Sequence, residues 1–459
     1  MGDVASGNVD GAIRALQSNN RSEQKDLLYY FELGELQRLK DRYQDSQQSW
    51  LSADQRVHKW EETARADPVR LLADASSYVL NDKSRPYEGH DYEKVMLTTR
   101  IALNFLALGQ FENARVAIKQ THEREAVIAD LRAKELAEVE RDAGVRGART
   151  SFQELNGYPV QTIDNAQVNA LKNGYQSALS HYLAGFIYEA LGEPGLAAPG
   201  YRQAIELQPN RPVLEEGLRG LDQRVAAPSD GLTDVLFVVE SGTAPARESR
   251  EFALPIPVNR TLILIPISFP VMQTTSSPSS PAQIQVDGGQ SLSVVPISSV
   301  DLMARRALKD EMPGIMLRGA IRSTAKAVAQ YELQHQAQKK DNALLGFAAF
   351  AFTVGSYVTE SADERTWRTL PSEIAIARGR MAPGPHTITL QTANGPRSLL
   401  VNVSGHYAVV GMRVLHGQLL LQAPQPVVAN AFPSSSQAPS TSAPPATLGK
   451  PPPAMESPR

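Results

Sequence analysis

The stretch ESADERTWRTLPSEIAIARGRMAPGPHTITL, residues 360–390, is where the chain stops reading as helix and begins to read as sheet. Its first half gathers Asp363, Glu364, Arg365 and Trp367 ahead of Leu370 and Pro371. Pro383 and Gly384 then set a turn, because proline presets φ and glycine accepts angles closed to other residues. His386 opens HTITLQ (386–391), whose alternation has the period of a half-buried strand. Three readings compete: a catalytic site on Asp363, Glu364 and His386, a membrane device, and a structural joint. The joint is favoured. Asp363 and Arg365 are spaced to pair with each other or to cap the turn. Trp367, Leu370 and Pro371 read as an apolar plug. No second cluster completes a triad, and there is no G-x-S-x-G, H-E-x-x-H or Walker loop. The eight histidines show no metal-ligand spacing. No catalytic residue, metal or cofactor is therefore assigned.

Working outward to the N-terminal side, residues 1–224 carry helical spacing. Leu28, Phe31, Leu36 and Leu39 share one face. Three segments resemble the tetratricopeptide pattern, in which small residues let two helices approach and large ones fill the gaps. The first has Tyr30, Leu33 and Gly34, then Tyr43, Trp50 and Ala53. The second has Ile101, Ala102, Phe105, Leu108 and Gly109, then Phe111, Ala114 and Ile118. The third is the fullest: Gly185, Tyr188, Leu191, Gly192, Ala197, Tyr201, Ala204 and Pro209. Pro194 sits where a second helix would begin, a position proline suits. Arrays of this kind present a concave face to protein partners, which makes Tyr188, Tyr201 and Phe105 the candidate contact residues. A helical bundle serving only as a spacer is the alternative. The charged run 122–141 reads as a solvated helix with a thin seam of Val127, Leu131 and Val139, or else as a coiled-coil strand.

From 225 to 425 the character changes. Ala226–Gly231 reads as a linker. The runs 232–240, 260–270, 282–288, 291–297, 386–391, 398–403 and 406–422 are β-branched and punctuated by Gly and Pro. They predict a β-rich, sandwich-like domain, interrupted by a helical insertion at about 299–360. Pro313–Gly314 should break that insertion. Arg318, Arg322 and Lys326 then form an i, i+4, i+8 stripe, read as a solvated face, with an acidic partner or lipid headgroups as the alternative. The run 343–358 is apolar, but a spanning helix needs about 20 such residues, so a buried core helix is preferred over an interfacial insertion or a span. Residues 426–459 are rich in Pro, Ser and Ala and predict a disordered tail.

The segment Ala362, Asp363, Arg365, Trp367, Leu370, Pro371, followed by Arg378, Pro383–Gly384 and His386, resembles a signature of an uncharacterised family. These are proteobacterial tetratricopeptide-containing envelope proteins, usually lipoproteins. Tyr92–Glu93, Gly174–Tyr175, Gly242, Ala244, Pro245 and the helices from Arg305 to Lys326 extend the likeness over roughly residues 10–415. The resemblance implies a location in the periplasm or at the outer membrane and a role in envelope assembly, with no activity to carry over. The family's lipidated cysteine has no counterpart, since the sequence contains no cysteine. Either the start lies upstream or this member is not lipidated. MGDVAS does match the myristoylation pattern through Gly2 and Ser6, a pattern short enough to recur by chance. No signal peptide is visible, which leaves a cytoplasmic adaptor as the alternative.

Composition sets the remaining bounds. With 46 basic and 49 acidic residues among 459, the net charge of −3 offers no general attraction to nucleic acid or anionic lipid. The expectation is an α+β multidomain chain: helical 1–224, β-rich 225–425, tail 426–459. It should act as a non-enzymatic envelope scaffold that binds protein partners. Insertion into a membrane through 343–358, or an enzyme built near Asp363, are the rival functions.

Overall fold

The computed structural model describes residues 2–67, 86–146, 151–152, 155, 157–227, 231–258, 261–274, 280–340 and 361–421. The apolar run 343–358, the tail, and the centre of the proposed linker lie outside the described residues.

The fold is mixed α+β. Helices α1 (Gly2–Ala5) and α2 (Val9–Asn19) lead into three antiparallel pairs. These are α3 (Leu27–Arg38) with α4 (Tyr43–Ala66), α5 (Asp91–Ala107) with α6 (Phe111–Arg146), and α8 (Ala178–Ala190) with α9 (Pro194–Leu207). The short α7 (Ala166–Asn169) precedes the third pair, and α10 (Pro212–Leu218) and α11 (Leu221–Ala226) follow it. Local chemistry explains the boundaries. Asp26 caps α3 by accepting from the Tyr29 amide at 2.8 Å. Glu93 reaches back to the His90 amide at 2.8 Å at the start of α5. Pro194 occupies the first turn of α9.

Inside each pair a small residue admits a large one. A Cβ on Gly34 would lie 2.3 Å from the Trp50 indole nitrogen, and one on Gly185 would lie 2.6 Å from the Tyr201 ring. The charged helix of 122–141 belongs to α6. Its seam residues Val127 and Leu131 pack on Ala64 and Trp60 of α4, so its apolar side is covered by the chain itself.

The strands are β1 (Thr233–Ser241), β2 (Arg247–Val258), β3 (Thr261–Met272), β4 (Gln283–Val286), β5 (Gln290–Ser293) and β6 (Val295–Ser299). After helix α12 (Val300–Lys340) come β7 (Glu373–Met381), β8 (Gly384–Thr392), β9 (Gly395–Val403), β10 (Tyr407–Leu415) and β11 (Gln418–Leu421). They form a five-stranded sheet β11-β10-β1-β7-β6, a four-stranded sheet β5-β4-β8-β9, and the two-stranded ribbon β2-β3. Strand β1 is central: parallel to β10, with Leu236 opposite Val409, and antiparallel to β7, with Leu236 opposite Arg378.

Alternation along β1 feeds two cores. Leu236 and Val238 join Phe31, Trp50, Leu183 and Phe186 of the helices. Val235, Phe237 and Val239 join Ile284, Ile388, Leu390 and Val401 of the four-stranded sheet. The order of layers is therefore helices, five-stranded sheet, four-stranded sheet. One apolar cluster runs from Leu27 to Val409 and draws residues from both halves of the sequence.

Two expectations for the insertion are corrected. Pro313 and Gly314 do not end the helix; α12 continues through Pro313. Proline inside a helix costs about 3 kcal/mol. Burial of Met303, Leu308, Met312, Ile315 and Met316 on both sides of it offsets that cost. Nor is the arginine stripe a fully solvated face, since Arg322 is buried.

Candidate functional site

Residues 361–370 make no helix or strand, yet Ala362, Trp367 and Leu370 are buried among the helices and the sheet. Trp367 stacks on Phe31 at 4.5 Å between ring centroids and meets Trp50 edge-on at 6.0 Å. Its indole N–H donates to Thr369 Oγ1 at 3.1 Å. The main chain of this strap is held largely by side chains from distant elements. The Trp367 amide donates to Glu93 Oε1 at 2.6 Å and the Arg368 amide to Glu32 Oε1 at 2.7 Å. His90 Nε2 lies 3.0 Å from the Arg365 carbonyl oxygen, and the hydroxyls of Tyr92 and Thr366 are 3.2 Å apart. Ala362 donates its amide to Ser249 Oγ at 2.9 Å. Asp363 accepts three times from Arg365, at 2.8 Å from Nε, 2.8 Å from Nη2 and 3.0 Å from the amide. Pro371, which follows, is buried.

Glu93 is wholly enclosed and accepts from the Tyr87 hydroxyl as well as from the backbone. At Glu32, burial pushes the carboxyl up to about 7, against the hydrogen bonds from Thr369 and Arg368.

Below the strap lies a buried ion cluster. Arg100 on α5 is bound by Glu35 of α3, with Nε to Oε2 at 3.0 Å, and by Glu240 of β1. Arg413 of β10 reaches Glu240 Oε2 at 3.3 Å and donates to the Gly242 and Thr369 carbonyl oxygens at 2.7 and 3.0 Å. Arg38, also buried, is bonded to Asn104. Burial alone would raise the Glu240 carboxyl. The charges of Arg100, Arg38 and Arg413 outweigh that and hold it at about 2.

A second cluster ties the third helix pair to the same sheet. Arg378 of β7 donates to Glu189 Oε1 at 2.7 Å and to Asp234 Oδ1 at 2.7 Å. Tyr201 donates to Glu189 Oε2 at 2.5 Å and accepts from Arg378 at 3.1 Å. Arg224 adds a bond to Glu189 at 2.7 Å.

Beside the strap is a cavity of about 150 Å³, lined in part by Trp60, His90, Lys94, Arg132, Arg247 and Glu311. Most of its charges are partnered within the protein, but among the described residues Nε and Nη2 of the buried Arg247 meet no hydrogen-bond partner. Glu311 meets Arg247 at 3.1 Å and His90 at 3.3 Å, and Arg132 meets Asp91 at 2.5 Å. Lys94 lies over the Trp60 ring at 3.9 Å and donates to the Gly89 carbonyl at 2.7 Å.

The structure disperses the candidate residues. Asp363 is held in its pair with Arg365, and Glu364 accepts from the Ser249 amide at 3.1 Å. His386 sits in β8, where its ring nitrogens meet Asp287 at 2.7 Å and the Ala382 carbonyl at 2.6 Å. It therefore lies in the four-stranded sheet, with a hydrogen-bond set separate from that of the strap. Pro383 lies in the turn between β7 and β8, and Gly384 has φ of 131°, which a side chain would strain. Tyr201 is fully buried, so its expected role as a contact on an open partner face is corrected: its hydroxyl is spent on Glu189. Tyr188 and Phe105 are half-buried and pack against the main core.

Sequence reasoning missed Glu32, Glu35, Glu240, His90 and Arg413 as joint residues. A signal existed for two of them: Glu240 and Arg413 sit in apolar β-runs, where a charge demands a buried partner. Among the described residues, no three His, Asp or Glu side chains converge as metal ligands, and no helix is long and apolar enough to cross a membrane. No model of a known protein family, no curated protein and no solved structure matches the chain.

Proposed function

We propose that this protein is a non-enzymatic adaptor, a rigid frame that binds a protein partner through its helices. The observation that carries this reading is the joint. Glu93 and Arg100 of α5, Glu32 of α3 and Glu189 of α8 are spent on bonds to the chain's own strap and strands. The small-large interlocks at Gly34–Trp50 and Gly185–Tyr201 support a tetratricopeptide-like array. In such an array the inner face takes the ligand; here that face holds the β-rich half. A partner then meets the outer face, where the second helix of each pair exposes a large apolar residue: Leu51 at 45 %, Val116 at 54 % and Leu196 at 55 %. The resemblance of residues 362–371 to the envelope family supports the cell envelope as the setting.

Photo-crosslinking in cells tests this. A photoreactive residue placed singly at Leu51, Val116 and Leu196 should trap one common protein. The same residue at Leu400 on β9, 72 % exposed, should not. Trapping with no dependence on position, or none at any of the three, overturns the adaptor reading.

A further inference from the structure

Buried arginines in this fold hold carboxylates by one edge of the guanidinium. The Nε and Nη2 hydrogens point the same way and match the two oxygens of a carboxylate. Arg100 grips Glu35 by this edge, Arg305 grips Asp301, Arg365 grips Asp363 and Arg378 grips Asp234. Arg247, at the start of β2 and only 6 % exposed, breaks the pattern. Its Nη1 donates to Glu311 at 3.1 Å, but among the described residues the Nε and Nη2 edge meets no acceptor. A buried donor left without an acceptor is costly, and a charged one more so. Arg247 lines the cavity of about 150 Å³ beside the strap.

The rest of the wall narrows what the cavity can take. Four basic and four acidic side chains line it, so one negative charge suits it better than two. Trp60, Leu131, Pro270 and Ile315 add an apolar surface. At about 30 Å³ per water the volume corresponds to about five waters, room for an organic acid of a few carbons.

We propose that this cavity is a binding site for a small monocarboxylate, whose two oxygens accept from Nε and Nη2 of Arg247 while its hydrocarbon end meets the apolar wall. Both nitrogens are closed to solvent, so seating the ligand takes a small turn of the guanidinium about its bond to Glu311. The ligand would touch Trp60 of α4, Leu131 of α6 and Ile315 of α12, and so bridge the helical half and the insertion. Leu51, Val116 and Leu196 do not line this cavity, so the proposal goes beyond the adaptor reading and stands or falls separately from it.

Tryptophan fluorescence of the full chain tests the site, with sodium butyrate as the probe at constant ionic strength. Of the three tryptophans, Trp50 and Trp367 are enclosed in the main core and Trp60 lines the cavity. Emission should change saturably, with half-saturation below about 5 mM. Butyramide, of similar shape but uncharged, should bind at least about tenfold more weakly. Arg247→Lys keeps a cation for Glu311 but loses the two-pronged edge, and should weaken butyrate at least about tenfold. Trp60→Phe should abolish the emission change. No saturable change by about 50 mM, an equal response to butyramide, or the same response in Trp60→Phe overturns the proposal. Inorganic phosphate binding more tightly than butyrate overturns the carboxylate class. Where Arg247→Lys does not fold, butyrate against butyramide on the unaltered chain decides.

Discussion

The two faces of the five-stranded sheet bury the same three strands in different ways. Toward the four-stranded sheet, β1, β7 and β10 present Val235, Phe237, Val239, Ala375, Ala377, Val410 and Met412, an apolar surface. Toward the helices the same strands present Leu236, Val238, Ile376 and Val409, but also Asp234, Glu240, Arg378 and Arg413. Both faces are closed to water, so burial alone does not distinguish them. What differs is tolerance. An apolar face accepts small shifts and isosteric exchange. A buried charge must meet its partner in one geometry, because leaving it unpaired costs several kcal/mol. The charged face therefore dictates where the helices sit, while the apolar face supplies adhesion.

That contrast is most sharply broken at Glu240. Glu240→Leu leaves Arg100 and Arg413 short of a buried carboxylate, and should lower unfolding free energy by about 3–5 kcal/mol in urea titration. A loss below about 1 kcal/mol would mean that the charged face is no more demanding than the apolar one.

The joint should also respond to pH through Glu32, whose folded-state carboxyl is pushed up to about 7 from the usual 4.5. Below the unfolded value both states hold the proton. As pH rises toward 7 the unfolded chain releases it first, so the stabilising contribution is progressively lost. The expected decline between pH 5 and 7 is about 2 kcal/mol. Melting across that range should show the decline in the parent chain and lose it in Glu32→Gln.

On the apolar face, Phe237→Leu should cost less than about 1.5 kcal/mol by the same titration, because the surrounding aliphatic side chains can close on the smaller residue. A cost equal to that of Glu240→Leu would erase the distinction between the two faces.

Much of the local structure was legible. Gly34 with Trp50 and Gly185 with Tyr201 announced close helix pairs, because only small residues admit such neighbours. Pro383–Gly384 announced a turn, and Asp363 and Arg365 were near enough in sequence to find each other. The site was legible only in part. That Trp367 is a plug could be read from its neighbours, but the box it enters comes from Phe31 and Trp50, more than three hundred residues away in sequence.

The sequence by itself determined the helical and β-rich halves, the interlocked helix pairs and the turn into β8. These follow from period, side-chain size and backbone angle, all set within a few residues. Only the tertiary structure decided that α12 runs through Pro313, that β1 lies parallel to β10, and that Tyr201 faces inward. It alone joined Glu32 and Glu93 to a strap some three hundred residues downstream. The reason is that a charge or an aromatic ring in a sequence states only that a partner is required. Which partner it meets is chosen by the packing of whole layers, and that choice belongs to no local pattern.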